Sequence, residues 1–473
     1  MNIWITKSPQ EIFDASEHTQ LKKNLTALDL AALGIGSVVG TGIFVATGQG
    51  AQLAGPGILL SFIIAAITCG FCALTYSELA CMFPVAGSTY SYTYVAFGEV
   101  IAWIIGWDLM LEYMVAASAV ASGWSTTFIG LIQSVGVKFP KALVTATITT
   151  SDAGKIIFSG GIIDLPAVII TLLITWILFV GVRESAKFNN IIVVIKILVI
   201  LLFVVLGITH VSLANMKPLM PFGWKGVMAG AAIIFFAYIG FDAVSTAAEE
   251  TKNPKRDVPL GLMLCLGVVI ILYVSVAFVL TGIVPYKDID VGNALPSALA
   301  RIGIRWGGAL VATGAIIGMI STLLVTLYGQ VRIFMVMARD GLLPAPFAKV
   351  HPRHMTPHIC TWITGVATAL IAGIFPLPMI IDLCNIGTLF AFVLVSIGVI
   401  VLRKTRPEVE RRFRTPGVPV TPLITVAFCF YLMYSLPLIT WIRFGIWMLA
   451  GLAIYFLYGV RHSKLQLKIK MGR

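Results

Sequence analysis

Charge is what this chain has least of. Asp, Glu, Lys and Arg supply only 11% of 473 residues, while hydrophobic residues supply 58% and the mean hydropathy is +0.96. So little charge cannot cover the surface of a water-soluble protein of this length, and the apolar surplus is meant for lipid. Cysteine is also scarce. Cys69, Cys72, Cys81, Cys265, Cys360, Cys384 and Cys429 are odd in number and lie in or beside apolar stretches, which argues against a disulfide framework. Cys69 and Cys72 form a C-x-x-C, but inside an apolar helix that spacing reads as packing rather than redox or metal chemistry. Acidic residues are outnumbered by basic ones, 21 to 33. The basic excess sits in loops and tails, so it reads as an orientation signal with affinity for membrane lipids, not for nucleic acid. The first 25 residues are mixed and polar and do not read as a signal peptide.

A bilayer-crossing helix needs about 20 mostly apolar residues. Such segments run approximately over 27–48, 57–82, 98–132, 162–182, 188–208 and 226–250, then 260–284, 308–337, 357–376, 379–402, 420–436 and 441–460. The expectation is an all-α integral membrane protein of 12 spans. Two segments, 98–132 and 308–337, are too long for a perpendicular crossing and should tilt or project. If the N-terminus (1–26), the loops after even-numbered spans and the basic tail (461–473) are cytoplasmic, that side carries 23 Lys and Arg against 9 opposite. Both termini are therefore expected in the cytoplasm. Lys196 alone lies inside a span.

Two spans carry features that a purely structural helix avoids. In the first, Gly34, Gly36, Gly40 and Gly42 fall within eleven residues, and each glycine weakens a helix by roughly 1 kcal/mol relative to alanine. Gly40-Thr41-Gly42 is the expected break, and N–H groups freed there suit a carboxylate. Close helix packing through Gly36 and Gly40 is the competing reading. In the sixth span, Gly240 and Asp242 interrupt the apolar run Phe235–Phe241. An intramembrane Asp costs roughly 2.5–3.5 kcal/mol on insertion scales, so it has either a structural partner or a job. Interruptions in spans one and six occupy matching places in two five-helix halves, the pattern of an inverted-repeat transporter with a midplane site. Donors at one break and carbonyls at the other would match the carboxylate and amine of an amino acid.

At these residues the sequence resembles the amino acid–polyamine–organocation superfamily, and within it the cationic amino acid transporter family in its bacterial twelve-span form. The matching stretches are GIGSVVGTGIF at 34–44, YSELA…FPVAGSTYSY at 76–92, FFAYIGFDAVSTAAEETKNPKRDVP at 235–259, GQVRIFMVMARDGLLP at 329–344 and NIGTLFAFVLVSIGVIVLR at 385–403. The resemblance implies a LeuT-type 5+5 inverted repeat with broken helices 1 and 6. Residues 27–210 would form the first repeat, 226–403 the second, and 417–460 two added helices. It also implies roles. Thr41 and Gly42 would offer backbone donors to the substrate carboxylate, and Val38 a carbonyl to its amine. Phe236, Ala237 and Ile239 would supply further carbonyls, with Phe236 as an aromatic lid. No cofactor is implied.

Three polar positions inside the apolar mass complete the reading. Lys196 lies nine residues past Lys187, about 13 Å along a helix, near the limit of snorkelling. Desolvation penalises an ammonium charge, which makes such a lysine a candidate proton carrier. In proton-coupled relatives a lysine at this place stands where sodium-coupled ones bind an ion; a static salt bridge is the alternative. Asp108 and Glu112 share one face of the third span, with Glu112 expected deep and Asp108 nearer the surface. Glu112 is either a substrate-path group or a helix–helix hydrogen bond. By resemblance Thr326 faces the substrate side chain, and otherwise it bonds back to its own helix. The expected function is secondary transport of small neutral or cationic L-amino acids across the plasma membrane, with proton symport ahead of exchange. A sensing receptor or channel on the same fold is the alternative of another class. An enzyme would need convergent acid, base or nucleophile groups. His210 lies at an outer helix end, and His351, His354 and His358 fall in a loop that reads as solvated.

Overall fold

A computed structural model describes residues 3–11, 24–83, 87–150, 156–181, 186–354 and 356–470. Most of the expected N-terminal tail, with Lys22 and Lys23, lies outside them, as do Arg183, Lys155 and the last three residues of the basic tail. The side chains of Lys187 and Glu249 are likewise outside the described set.

Each of the twelve apolar segments is helical. The first opens with α1 (Ala27–Val38), where Thr26 and Asp29 form a reciprocal capping box. A π-helical turn at Gly42–Ala46 then leads into α2 (Thr47–Ala54). Next come α3 (Ile58–Met82), α4 (Ser88–Phe97) and the 36-residue α5 (Glu99–Ser134). After α6 (Leu165–Val180) and α7 (Ala186–Ile208), the second half repeats the interruption. There α8 (Gly223–Ile234) passes through a 3-10 turn, Phe235–Tyr238, before the short α9 (Ala243–Thr246). The rest are α10 (Pro254–Ile283), α11 (Ala294–Arg301), α12 (Arg305–Arg339), α13 (His358–Ile374), α14 (Leu377–Thr405), α15 (Val420–Tyr434), α16 (Leu438–Ile454) and a terminal α17 (Lys464–Lys470).

Among the described residues, eight helical stretches are long and apolar enough to cross a membrane, and α1, α6, α13 and α15 are shorter apolar helices. Three elements between the apolar segments are too short or too polar to read as spans and went unread in the sequence. They are α4, α11, and a hairpin pairing Ile148–Thr150 with Ile156–Phe158 antiparallel. Apolar mass predicts spans, and these elements lie between spans.

Helix pairs approach through small residues, as membrane packing favours. A Cβ on Gly123 of α5 would strike the Thr41 side chain, one on Gly314 of α12 would strike Val199, and one on Gly365 of α13 would strike Thr175. In this way α5 lies against α12 and α14, α10 against α1 and α3, and α7 against α12. Two buried carboxylates knit the surface that holds most of the basic residues. Glu78 of α3 takes both ends of the Arg403 guanidinium, at 2.9 and 2.7 Å, and the Thr415 N–H at 2.7 Å. Glu99 accepts the hydroxyls of Tyr94, Tyr455 and Ser463, while Asp340 accepts from Lys7 and Tyr90, both at 2.7 Å. The first and last described segments are thereby fastened to the ends of α5 and α12.

Candidate functional site

The first break lies at Val39 and Gly40, at the leading edge of the expected Gly40-Thr41-Gly42. Val39 turns extended (φ −75°, ψ 97°) after α1, and the chain resumes helical geometry at Thr41. Breaking a helix frees carbonyls, and buried polar backbone must find partners. Here three side chains from other helices supply them. Lys196 Nζ donates to the Gly36 carbonyl at 2.5 Å and to Thr322 Oγ1 at 2.9 Å. Thr322 Oγ1 also lies 3.3 Å from the Gly36 and Val39 carbonyls. The Tyr273 hydroxyl donates to the Val38 carbonyl at 3.1 Å. Each carbonyl keeps a second lone pair, so Val38 retains an acceptor position.

The second break lies directly against the first. Ile239 is extended and Gly240 takes a positive φ of 109°, a conformation that favours glycine. A Cβ on Gly240 would stand 2.9 Å from Ser37 Oγ, and one on Gly42 would collide with the backbone Cα of Ala237. Glycine is therefore required at both points for the two interrupted helices to touch. Asn385 of α14 serves the second break, donating to the Ala232 carbonyl at 2.7 Å.

Between the breaks lies a cavity of about 890 Å³, well sized for a small solute. Its inner part is lined by Val38, Gly40, Thr41, Gly42, Phe236 and Ile239, with Glu112, Gly240, Asp242, Thr322 and Thr326. It runs outward to Asp29, Glu250, Arg332, Arg339 and His354 at one end of the molecule. The other end is filled, where Gln52 donates to the Ile289 carbonyl at 3.2 Å and Asn293 to the Thr126 carbonyl at 3.4 Å.

Most residues singled out in the sequence meet in this cavity, but some differ in detail. Ala237 is fully buried against Gly42 and is not among the lining residues. Lys196 is also fully buried, standing behind Gly36 and Thr322 rather than in the cavity. The Thr41 hydroxyl turns away, toward Val120 O at 3.4 Å and Met319 Sδ at 3.2 Å. Thr326 bonds back to the Thr322 carbonyl at 2.8 Å, the local alternative for a membrane threonine. Asp108, expected near the surface, is completely buried, because α14 covers that face of α5. The His351 ring packs tilted against His354 and edge-on against His358, and His354 reaches the cavity mouth. Thr322 and Tyr273, which service the first break, went unnoticed. A lone Thr or Tyr in an apolar run gives no signal until its partner carbonyl is placed.

The sequence pattern described as amino acid permease matches residues 25–442. The chain belongs to that family. Over 466 residues it is 47% identical to the branched-chain amino acid permease of Bacillus subtilis (strain 168), covering 98% of this chain and 99% of the relative. It is 48% identical over 467 residues to the methylthioribose transporter of the same strain, covering 98% of this chain and all of the relative. Identity to the human cationic amino acid transporter 4 is 31% over 573 residues, covering 95% and 89%. Amino acid permeases form part of the amino acid–polyamine–organocation superfamily that the motifs resemble. Membership points to a multi-pass membrane transporter rather than an enzyme, with an amino acid as the solute.

Proposed function

We propose that this chain is a proton-coupled secondary carrier of L-amino acids with a LeuT-type 5+5 architecture. In this reading α1 to α7 form one repeat and α8 to α14 the other, with α15 and α16 added, twelve spans in all. Both termini lie in the cytoplasm of a plasma-membrane protein, so the cavity opens inward. The N–H groups that start the helical run at Thr41 and Gly42 take the substrate carboxylate, and the Val38 and Ile239 carbonyls its amine. Phe236 covers the bound solute.

The observation that carries coupling is the contact of Lys196 with Gly36 and Thr322. A proton on Lys196 holds the carbonyl ahead of the break. Its loss releases that carbonyl and loosens α1 from α7 and α12. Proton occupancy and the geometry of the substrate site are then two readings of one equilibrium.

The apolar wall of Val38, Ala116, Val120, Phe236 and Ile239 favours a neutral, apolar side chain. The branched-chain relative supports the same choice. Cationic solutes are the competing class, through Glu112 and Asp242.

Reconstitution in liposomes with an imposed pH gradient tests the reading. Labelled leucine, alanine and arginine are offered, with methylthioribose as a competitor because a relative carries that name. Gradient-driven accumulation of leucine, lost in Lys196→Met, is the expected result. Accumulation that survives Lys196→Met would overturn proton coupling through this residue, and uptake only against preloaded amino acid would mean exchange.

A further inference from the structure

Asp108 is a carboxylate behind the cavity-lining Glu112, and nothing so far uses it. It stands one helical turn before Glu112 on α5, completely buried, and neither of its carboxyl oxygens has a hydrogen-bond partner. Oε2 of Glu112 is unpartnered as well. The two side chains share the space in front of Gly387 on α14. A Cβ placed on that glycine would lie 2.9 Å from Asp108 Oδ1 and 3.8 Å from Glu112 Cβ. The bare Cα of Gly387 is therefore what gives the Asp108 carboxyl room, with the Glu112 stem in ordinary contact beside it.

The groups around the pair offer no compensating charge. From α14 come Cys384, whose thiol donates to the Glu112 backbone carbonyl at 3.8 Å, and Thr388, whose hydroxyl hydrogen-bonds the Glu112 carboxyl. The phenols of Tyr76 on α3 and Tyr113 on α5 also face Glu112. From the second break comes Asp242, which acts on Glu112 across the cavity. From α16 comes Trp447, stacked on Trp107 at 4.6 Å. Among the described residues, no ion pair includes Asp108, Glu112 or Asp242. An isolated buried carboxylate is so costly that it takes up a proton instead, and two carboxyls within one site bind protons as a pair.

We propose that Asp108 and Glu112 form a proton-binding site distinct from Lys196, and that its occupancy selects the charge class of the solute. With the pair fully protonated, Glu112 presents a neutral acid and the cavity accepts an apolar side chain. When the Glu112 proton leaves to water in the cavity, its carboxylate becomes the counterion for an ammonium or guanidinium tail, while Asp108 keeps its proton. No bond other than this O–H forms or breaks. Asp108 is a positioning residue, acting through Glu112, which touches the cavity. The selectivity half rests on the cavity being the solute site, whereas the proton half does not.

The test uses the full chain in lipid nanodiscs. Infrared difference spectra follow the carbonyl stretch of protonated carboxyl groups as pH is varied. The wild type is expected to lose that band in several steps, two of which belong to this pair, so that Asp108→Asn and Glu112→Gln each remove one. Asp242→Asn removes a step of its own and keeps the two of the pair. A band whose steps are all unchanged in Asp108→Asn, or in Glu112→Gln, overturns the proton site. Binding is then measured for leucine and arginine in mildly acidic and mildly alkaline buffer. The arginine-to-leucine affinity ratio should rise by about tenfold with pH in the wild type, within the usual range for coupled sites, stay flat in Glu112→Gln, and rise at a displaced pH in Asp108→Asn. A ratio independent of pH in the wild type overturns the selectivity half. If neither solute binds while the two infrared steps persist, the proton site stands and the reading of the cavity fails.

Discussion

The Nζ of Lys196 donates to the carbonyl of Gly36 at 2.5 Å, three residues before the backbone of the first span turns extended at Val39. The ammonium thus occupies the place where a helix interruption most needs a donor. Thr322 Oγ1 sits within reach of the same ammonium and of the carbonyls of Gly36 and Val39. A lysine on α7, a threonine on α12 and the open end of α1 therefore form one polar node in an otherwise apolar layer. A Cβ on Gly318 would stand 3.0 Å from Lys196 Cγ, so α12 leaves space for the lysine stem there.

The node makes Thr322→Val informative. The substitution keeps the shape but removes the acceptor of the ammonium and the donor to the carbonyls. A neutral hydrogen bond contributes about 1 kcal/mol, and one to a charged group about 1.5–3 kcal/mol. We expect the variant to fold, with reduced thermal stability and at least a several-fold loss of pH-gradient-driven uptake. Uptake and its pH profile equal to wild type would remove Thr322 from the coupling node.

Contact between the two breaks is steric, and it sets a second expectation. Because the atom facing Gly42 is a backbone Cα of Ala237, no side chain can swing aside to admit a methyl group. Overpacking of this kind costs about 1–3 kcal/mol. Gly42→Ala should separate the breaks and abolish solute binding, measured by calorimetry, before it abolishes folding. Gly70→Ala is the control, because no atom lies within 4 Å of its added Cβ and only a helix position is filled.

The apolar helices and both interruptions were legible in the sequence because they follow from composition at fixed places: long apolar runs, clustered glycines, an acid in a helix. Gly40 and Gly240 could be marked as breaks without knowing that Thr322 and Ser37 are what they approach. Partnership was not legible. Nothing in the sequence links Tyr273 to the Val38 carbonyl across 235 positions, or Asn385 to Ala232. Depth was misread for Asp108 because its exposure depends on α14, more than 250 residues away. Thr326 shows the converse, since its local alternative was open from the start and the structure adopts it.

Glu78 and Arg403 make a clear stability case. The carboxylate is 1% exposed and the guanidinium 27%, with two-pronged geometry and a third bond from the Thr415 N–H. Removing one partner of a buried pair costs about 3–5 kcal/mol, and the partial exposure of Arg403, together with Arg411 Nε at 3.5 Å from Glu78 Oε1, places this one at or below the lower end. We expect Arg403→Met to lower the unfolding midpoint in detergent markedly. Arg403→Lys should restore only part of the loss, because an ammonium lacks the planar fork. A midpoint for Arg403→Lys equal to that of the wild type would mean that charge alone matters.

The fastening of the two chain ends should respond to pH, with a sign set by Glu11. Burial alone would raise its carboxyl. Hydrogen bonds from Lys468 and Ser8, together with the Lys468 charge, outweigh that and hold it below its ordinary value of 4.5. A carboxylate whose native value is depressed stabilises the folded contact in full above its unfolded value, and that contribution is lost as pH falls through the native one. The Lys468 Nζ to Glu11 Oε1 contact, at 2.9 Å, is more than half exposed on the lysine side, so its contribution stays below about 1 kcal/mol. Amide hydrogen exchange across residues 3–11 should therefore quicken modestly as pH drops below 4.5, after correction for the intrinsic rate. Lys468→Met should show the faster exchange already at neutral pH, and should respond less to acid, through the Ser8 bonds that remain. If its exchange matches the wild type throughout, the fastening rests on Lys7, Asp340 and Tyr90 instead.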